Sequence, residues 1–286
     1  MKFKIIGSGG CTATPKPLCS CNVCTTARTK GFPYARCGAS LYLEDIALVV
    51  DTPEDITQAL NNGNVAKVDN ILYSHWDPDH TLGMRVVEQL RIDWRDFSPN
   101  KKPKNPVNIY ATQATMADIN QIANKFGSFL DYYENVQKLI QRHVVTDSVT
   151  IDDIKITFVP VPGSPGVSVF VFESLATGKR LVYSPCDAFP FPVVEEIKGA
   201  DILIVGGNLL LTGKDSSGQA LSADHPIFNE FYTFEQVQAL QQSLQIPQMI
   251  ITHIEEIDGK TYDELLEYEK TLPGITFAWD GMEVAL

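Results

Sequence analysis

Short apolar runs bounded by polar and turn-forming residues recur along the chain. ASLYLED, IALVVDT and DNILYSH have the β-branched and aromatic content of strands, with one helix, over about residues 55–61, between the last two. A helical pattern covers residues 81–95, SPNKKPKNP is a loop, and VNIYAT is the next strand. Residues 113–142 read as a helical region interrupted at Gly127. Three β segments follow, SVTIDDIKITFVPV, VSVFVFES and RLVYSPCD, then a helix near VVEEIKG and the strand ADILIVGGN. The remainder gives an amphipathic helix in TFEQVQALQQSLQ, a strand in MIITHIEE, a helix in YDELLEYEKTL and a closing β element in ITFAWDGMEVAL. Strand clusters alternating with helices, without repeats or a low-complexity linker, predict one layered α/β domain over residues 1–286.

Composition narrows the class. With 44% hydrophobic residues, 19 Gly and 17 Pro, the chain has the make-up of a globular domain with a sizeable core. Its apolar runs, such as IALVV and ILIV, are strand-sized and fall short of the roughly 20 residues a membrane-spanning helix needs. The opening MKFKIIGSGGCTATP is too glycine-rich for a signal-peptide core and reads as a strand and turn, which points to a cytoplasmic protein. Net charge is −12, from 23 basic and 35 acidic residues, so the mean field repels polyanions. A small-molecule substrate is therefore expected rather than nucleic acid, and Lys101, Lys102 and Lys104 are read as a solvated loop. Homodimerisation stays open.

The six cysteines are unevenly placed. Cys19, Cys21 and Cys24 form C-x-C-x2-C within a loop at about residues 11–37, whereas Cys11, Cys37 and Cys186 are scattered. In a reducing compartment such a cluster predicts a structural zinc held by thiolates. Cys37, His225 and Glu256 are the candidates for a fourth ligand.

A second constellation sits at strand ends. His75 ends NILYS, Asp187 ends LVYSPC and His253 ends MIIT, and open α/β sheets place ligands beside such ends. Asp77, Asp79 and His80 lie in the turn after His75, where Pro78 stops the strand. Three imidazoles and three carboxylates converging there are too many ionisable groups to bury without a cation to neutralise them. His143, between charged and β-branched residues, is read as structural.

IGSGGCTATP followed by CSCNVC, then LVVDTPED, SHWDPDHTLG, YSPCD, ITHIEE and WDGMEV together resemble the metallo-β-lactamase superfamily over nearly the whole chain. Within it the chain is similar to the branch containing the phosphoribosyl cyclic phosphodiesterase and the pyrroloquinoline quinone biosynthesis protein B. The resemblance implies a four-layer αββα sandwich with the site at one edge of its two sheets. It also implies that His75 is the first motif histidine, Asp79 and His80 the D-H pair, Asp187 the bridging aspartate and His253 the last histidine. Asp77 stands at the motif's second histidine, and Ser164, Pro165 or Gly166 where a third is usual, so the first metal site departs from the family pattern while the second keeps its set. The branch's phosphate-contacting histidine falls on Phe231, for which nearby His225 is the substitute. The position of its structural-zinc histidine falls on Glu256.

These residues and the resemblance together predict a metal-dependent hydrolase, of phosphodiesterase type, using one or two catalytic cations (Zn, Mn or Fe) besides the structural zinc. Asp79 and His225 are the candidate catalytic residues, and Asp77, as a hard oxygen ligand, would favour manganese or iron at a weaker first site. Two alternatives remain: a mononuclear iron oxygenase or redox protein, and a non-catalytic binder of a small ligand.

Overall fold

The computed structural model describes residues 1–93, 95, 103, 105–206, 209–210, 219–222, 224–229 and 231–286. Among them the long strands form two seven-stranded sheets. In the first, Met282–Ala285, Lys2–Gly7, Ser40–Leu43, Leu48–Val50, Asn70–Leu72, Val107–Ala111 and Ile140–Val144 lie in that order. The second runs Ile275–Phe277, Gln248–Thr252, Ile202–Gly206, Arg180–Ser184, Ser164–Ser174, Ile154–Val161 and Ser148–Ile151. ITFAWDGMEVAL therefore contributes one strand to each sheet.

Alternation along the strands places the core. Phe3, Ile5, Leu41 and Leu43 of the first sheet meet Phe158, Phe170, Phe172 and Ile204 of the second, filling the space between sheets. On the outer face of the first sheet, Val49, Ile71 and Ile109 pack against Ile56, Ala59 and Met116, from helices Ile56–Asn62 and Gln113–Ile119. The second sheet's outer face, with Leu203, Met249 and Ile251, is covered by Phe234, Val237 and Leu265, from Phe234–Ser243 and Tyr262–Glu269. Two sheets with helices on both outer faces make the αββα sandwich.

Three sequence expectations change. The region 113–142 is helical over Gln113–Ile119 and again, after Gly127, over Phe129–Asp131 and the π-helical turn Tyr132–Val136; Ala123–Asn124 and Gly127–Ser128 form a small hairpin between them, and Ile140–Val144 is a strand parallel to Val107–Ala111. Pairing along a sheet edge outweighs local helix propensity there, and Arg142 is held by Asp131 and Glu134. VVEEIKG is a run of turns rather than a helix; Ile197 is buried in the core and Val194 packs against it. The helical pattern at 81–95 breaks into Pro78–Thr81, a 3-10 turn at Leu82–Arg85 and Val86–Arg91. Most of SPNKKPKNP, including Lys101, Lys102 and Lys104, lies outside the described residues.

Parallel pairing sets up the site. Leu48–Val50 and Asn70–Leu72 run parallel in one sheet, and Arg180–Ser184, Ile202–Gly206 and Gln248–Thr252 run parallel in the other. The residues just beyond their C-terminal ends, Asp51, His75, Cys186 and His253, converge at one edge of the sandwich.

Candidate metal centre

The turn after Asn70–Leu72 is fixed before it supplies any ligand. Thr52 N–H donates to His80 O (2.7 Å) and Gly83 N–H to Thr52 O (2.8 Å), docking the ligand-bearing turn onto the neighbouring strand end. A Cβ on Gly83 would stand 1.9 Å from Pro53 O, so only glycine permits this approach. Pro78 takes the first turn of a short helix, where a missing N–H costs nothing. Asp79 and His80 thus project from a helical turn, with Asp77 as the residue that precedes it.

Asp79, His80, Cys186 and His253 bring one ligand atom each within 4.8 Å of one another. Asp79 Oδ2 is 3.4 Å from both His80 Nε2 and His253 Nε2. Cys186 Sγ is 3.1 Å from His80 Nε2 and 3.3 Å from His75 Nε2. The structure places Asp187 elsewhere: its carboxylate groups with His75 and Asp77, again within 4.8 Å. Chain direction explains the swap. Asp187 adopts a left-handed backbone (φ 61), so consecutive side chains turn to different neighbours. Asp51 (φ 61) and His253 (φ 59) share this uncommon conformation, which concentrates backbone strain at the site.

Two residues without a sequence-assigned role orient the imidazoles. Asp51, fully buried, accepts from Ser74 N–H (2.8 Å) and from Ser74 Oγ–H (2.6 Å), and its Oδ2 lies 2.8 Å from His80 Nδ1. Since an ionised carboxylate only accepts, His80 carries its proton on Nδ1. Ser74 directs its proton to Asp51, so its oxygen accepts from His75 Nδ1–H (2.8 Å). With a cation in the cleft, this network would leave the Nε2 lone pairs of both imidazoles facing Cys186. Asp51 ends IALVV as His75 ends NILYS; the rule that selected His75 from the sequence selects Asp51 equally. Cys186, next to Asp187, satisfies it too.

Without a cation, protons serve in its place. Burial opposes the Cys186 thiolate, but positive charge on His80, His75 and His253 outweighs it and the thiol ionises far more readily than usual. Burial likewise disfavours charged His80 and His253, yet Cys186 and the neighbouring carboxylates raise both, His253 to about 10. Burial also opposes ionised Asp79, which His253 and His80 nonetheless hold well below the usual carboxylate range. A divalent cation would release these protons and take the same four donors. The donor set fits one: His253 Nε2 is buried without a hydrogen bond of acceptable geometry, and two imidazoles, a thiolate and a carboxylate are zinc-type ligands. Gly10 lies against this histidine, since a Cβ there would be 2.6 Å from His253 Nδ1.

Cys19, Cys21 and Cys24 also converge within 4.8 Å. Lys16 N–H donates to Cys24 Sγ (3.3 Å) and Cys24 N–H to Cys21 Sγ (3.4 Å), while Arg28 grips the carbonyls of Cys19 and Lys16. Of the fourth-ligand candidates, Cys37 is buried with its N–H on Asp280, and His225 is exposed with Nδ1 accepting from Ile227 N–H. Glu256 is tied to the cluster's loop through Lys16 (3.1 Å) and Thr12 (3.0 Å). Among the described residues none of the three joins the thiol group, and His225 joins no ligand group. Ser164, Pro165 and Gly166 supply no imidazole, thiol or carboxylate, and Gly166 faces Thr115 and Asp118. His143 stacks on Tyr110 and pairs with Asn108.

Known structures share this architecture. The chain is similar to a diphosphatase from the PhnP family (21% identity, TM-score 0.71, covering 100% of this chain and 97% of that one). It is similar also to Zn(2+)-bound PqqB from Methylobacterium extorquens (21%, 0.69, 100% of both chains). A third likeness is to human tRNase Z, short form (14%, 0.58, 100% and 99%). Among curated protein sequences nothing matches. The family described as the beta-lactamase superfamily domain matches residues 47–254, a span that contains every ligand of the cleft, and the chain belongs to that family.

Proposed function

We propose that the chain is a metal-dependent hydrolase acting on a small phosphodiester or cyclic phosphate. The observation that carries this is the convergence of Asp79, His80, Cys186 and His253, from strand ends of both sheets, on one space. A divalent cation held there supplies Lewis acidity and lowers the pKa of a bound water toward neutrality. The chain's own residues prepare that chemistry. Asp51 and Ser74 lock the imidazole tautomers, Cys186 and Asp79 supply the negative charge that retains a cation, and the buried histidines exclude bulk water on the sheet side. Asp187 and Asp77 are the more open members, so substrate approaches from the carboxylate side. Likeness to a diphosphatase and to tRNase Z supports a phosphate ester, and the net charge of −12 favours a small substrate over a polyanion. A structural zinc at Cys19, Cys21 and Cys24 completes the proposed metal complement.

The test is hydrolysis of bis(p-nitrophenyl) phosphate by protein loaded in turn with Zn2+, Mn2+ and Fe2+. Turnover with at least one cation, abolished by His253→Ala, is expected; no turnover with any of them refutes the proposal. A second reading has one specific observation: Asp79 Oδ2 is 3.4 Å from the Nε2 atoms of both His80 and His253, a 2-His-1-carboxylate set. Oxygen consumption by ferrous-loaded protein in place of ester hydrolysis would favour it.

A further inference from the structure

Ser74 and Asp51 orient His75 and His80, but the third imidazole of the cleft is set in another way. His253 leaves its strand in a left-handed conformation (φ 59), and the next residue is tied back, Ile254 N–H donating to Ser8 O (2.9 Å). Gly9 forms a bridge to Ile254 and another to Gly38, and its N–H donates to Cys37 O (2.7 Å). Gly10 then runs against the ring, where a Cβ would stand 2.6 Å from His253 Nδ1 and 2.5 Å from Glu255 Oε1. The turn Ser8–Gly10 is thus the wall against which His253 rests.

The group that fixes this wall comes from the other end of the chain. Asp280, buried in the WDGMEV tail, accepts from Ser8 N–H (2.9 Å), Ser8 Oγ–H (2.6 Å) and Cys37 N–H (2.7 Å). Arg36 Nη1 donates to Ser8 Oγ (2.7 Å) and to Ala278 O (2.5 Å). One carboxylate therefore holds both segments between which Gly9 lies. Glycines lose more freedom on ordering than other residues, and bonds to an ionised acceptor are the stronger kind, so the turn depends on this anchor.

We propose that Asp280 is a positioning residue for the cleft: through Ser8 and Gly10 it fixes where the His253 imidazole stands, and so how tightly a cation is held there. Its hydrogen bonds end on Ser8 and Cys37 rather than on a ligand, so it acts only through the turn. The proposal rests on the cleft being a metal site, not on the reaction carried out in it.

The experiment reads binding and ligand geometry. Asp280→Asn keeps the side-chain shape but turns an NH2 donor toward a partner that needs an acceptor. In competition with a chromophoric chelator, cleft zinc should be held about tenfold more weakly, with the cysteine-loop equivalent unchanged; His253→Ala supplies the baseline for that loop alone. Co2+ placed in the cleft instead of zinc should show shifted visible bands, because coordination geometry sets them. Ile156→Val, a fully buried change between the sheets, lowers melting without touching the turn and should move neither reading. Ser8→Ala removes the hydroxyl between Asp280 and Arg36 and carries the same test, with a loss in the same direction, should Asp280→Asn not fold. Equal zinc affinity with an unchanged Co2+ spectrum, or the same losses in Ile156→Val, overturns the proposal. A wild type with no cleft ion defeats it together with the metal centre. Weaker binding in Asp280→Asn of a protein that hydrolyses no phosphodiester upholds it and defeats the hydrolase reading alone.

Discussion

His80 Nδ1 lies 2.8 Å from Asp51 Oδ2, and both side chains are completely buried. This pair makes a carboxylate that touches no substrate into the residue that decides which nitrogen of His80 can hold a cation. Asp51→Asn should lower zinc affinity at the cleft by about 10- to 100-fold, measured by competition with a chromophoric chelator. Equal affinity would show that Asp51 is only a packing residue.

Cys186 and Asp187 can be separated by zinc content. Cys186→Ser removes the soft ligand, so cleft zinc should fall below one equivalent in elemental analysis, whereas Asp187→Asn should leave it in place. The reverse pattern would restore Asp187 to the zinc-type set. Asp77→Ala should mainly raise the metal concentration needed for turnover.

Much of this site was legible, because strands that end in a polar residue announce themselves: His75 and His253 each follow an apolar run. Asp51 follows one too, but a lone aspartate before Thr-Pro also reads as a turn, and its bond to His80 is a contact across 29 residues. The choice between Cys186 and Asp187 depends on a backbone φ of 61, which no pattern of residue types fixes. Similarly, IQRHV looks helical by period, and only its parallel partner Val107–Ala111 makes it a strand. The layered α/β class does not turn on these points, because the space between the sheets depends on many alternating runs rather than on any one.

The cysteine loop is tested by Cys21→Ser. Cys21 caps helix Asn22–Lys30, its sulfur accepting from Cys24 N–H, and serine is among the best residues for that role. A fall in melting temperature with release of about one zinc equivalent would therefore report the metal and not the cap. Unchanged zinc and melting would remove the structural zinc from the proposed metal complement.

Away from the metal ligands, Asp280 gives a pH signature. Burial pushes its carboxyl up to about 6, against the pull of Cys37 N–H, Ser8 and Arg36. A folded-state pKa above the unfolded value contributes stability below the unfolded pKa that is lost as pH rises through the folded one. From pH ~4 to ~7 the wild type should thus lose on the order of 3 kcal/mol relative to the trend of Asp280→Asn. Parallel pH slopes in denaturant melts would contradict this.

The most direct measurement for the central claim is metal content and phosphodiester turnover, read together, for wild type and His253→Ala. Wild type reconstituted with zinc should hold the Cys19–Cys21–Cys24 equivalent plus one in the cleft and hydrolyse bis(p-nitrophenyl) phosphate. His253→Ala should keep the first equivalent, lose the second and lose turnover with it. Full activity in His253→Ala, or no cleft equivalent in the wild type, would contradict a hydrolase built on this metal centre.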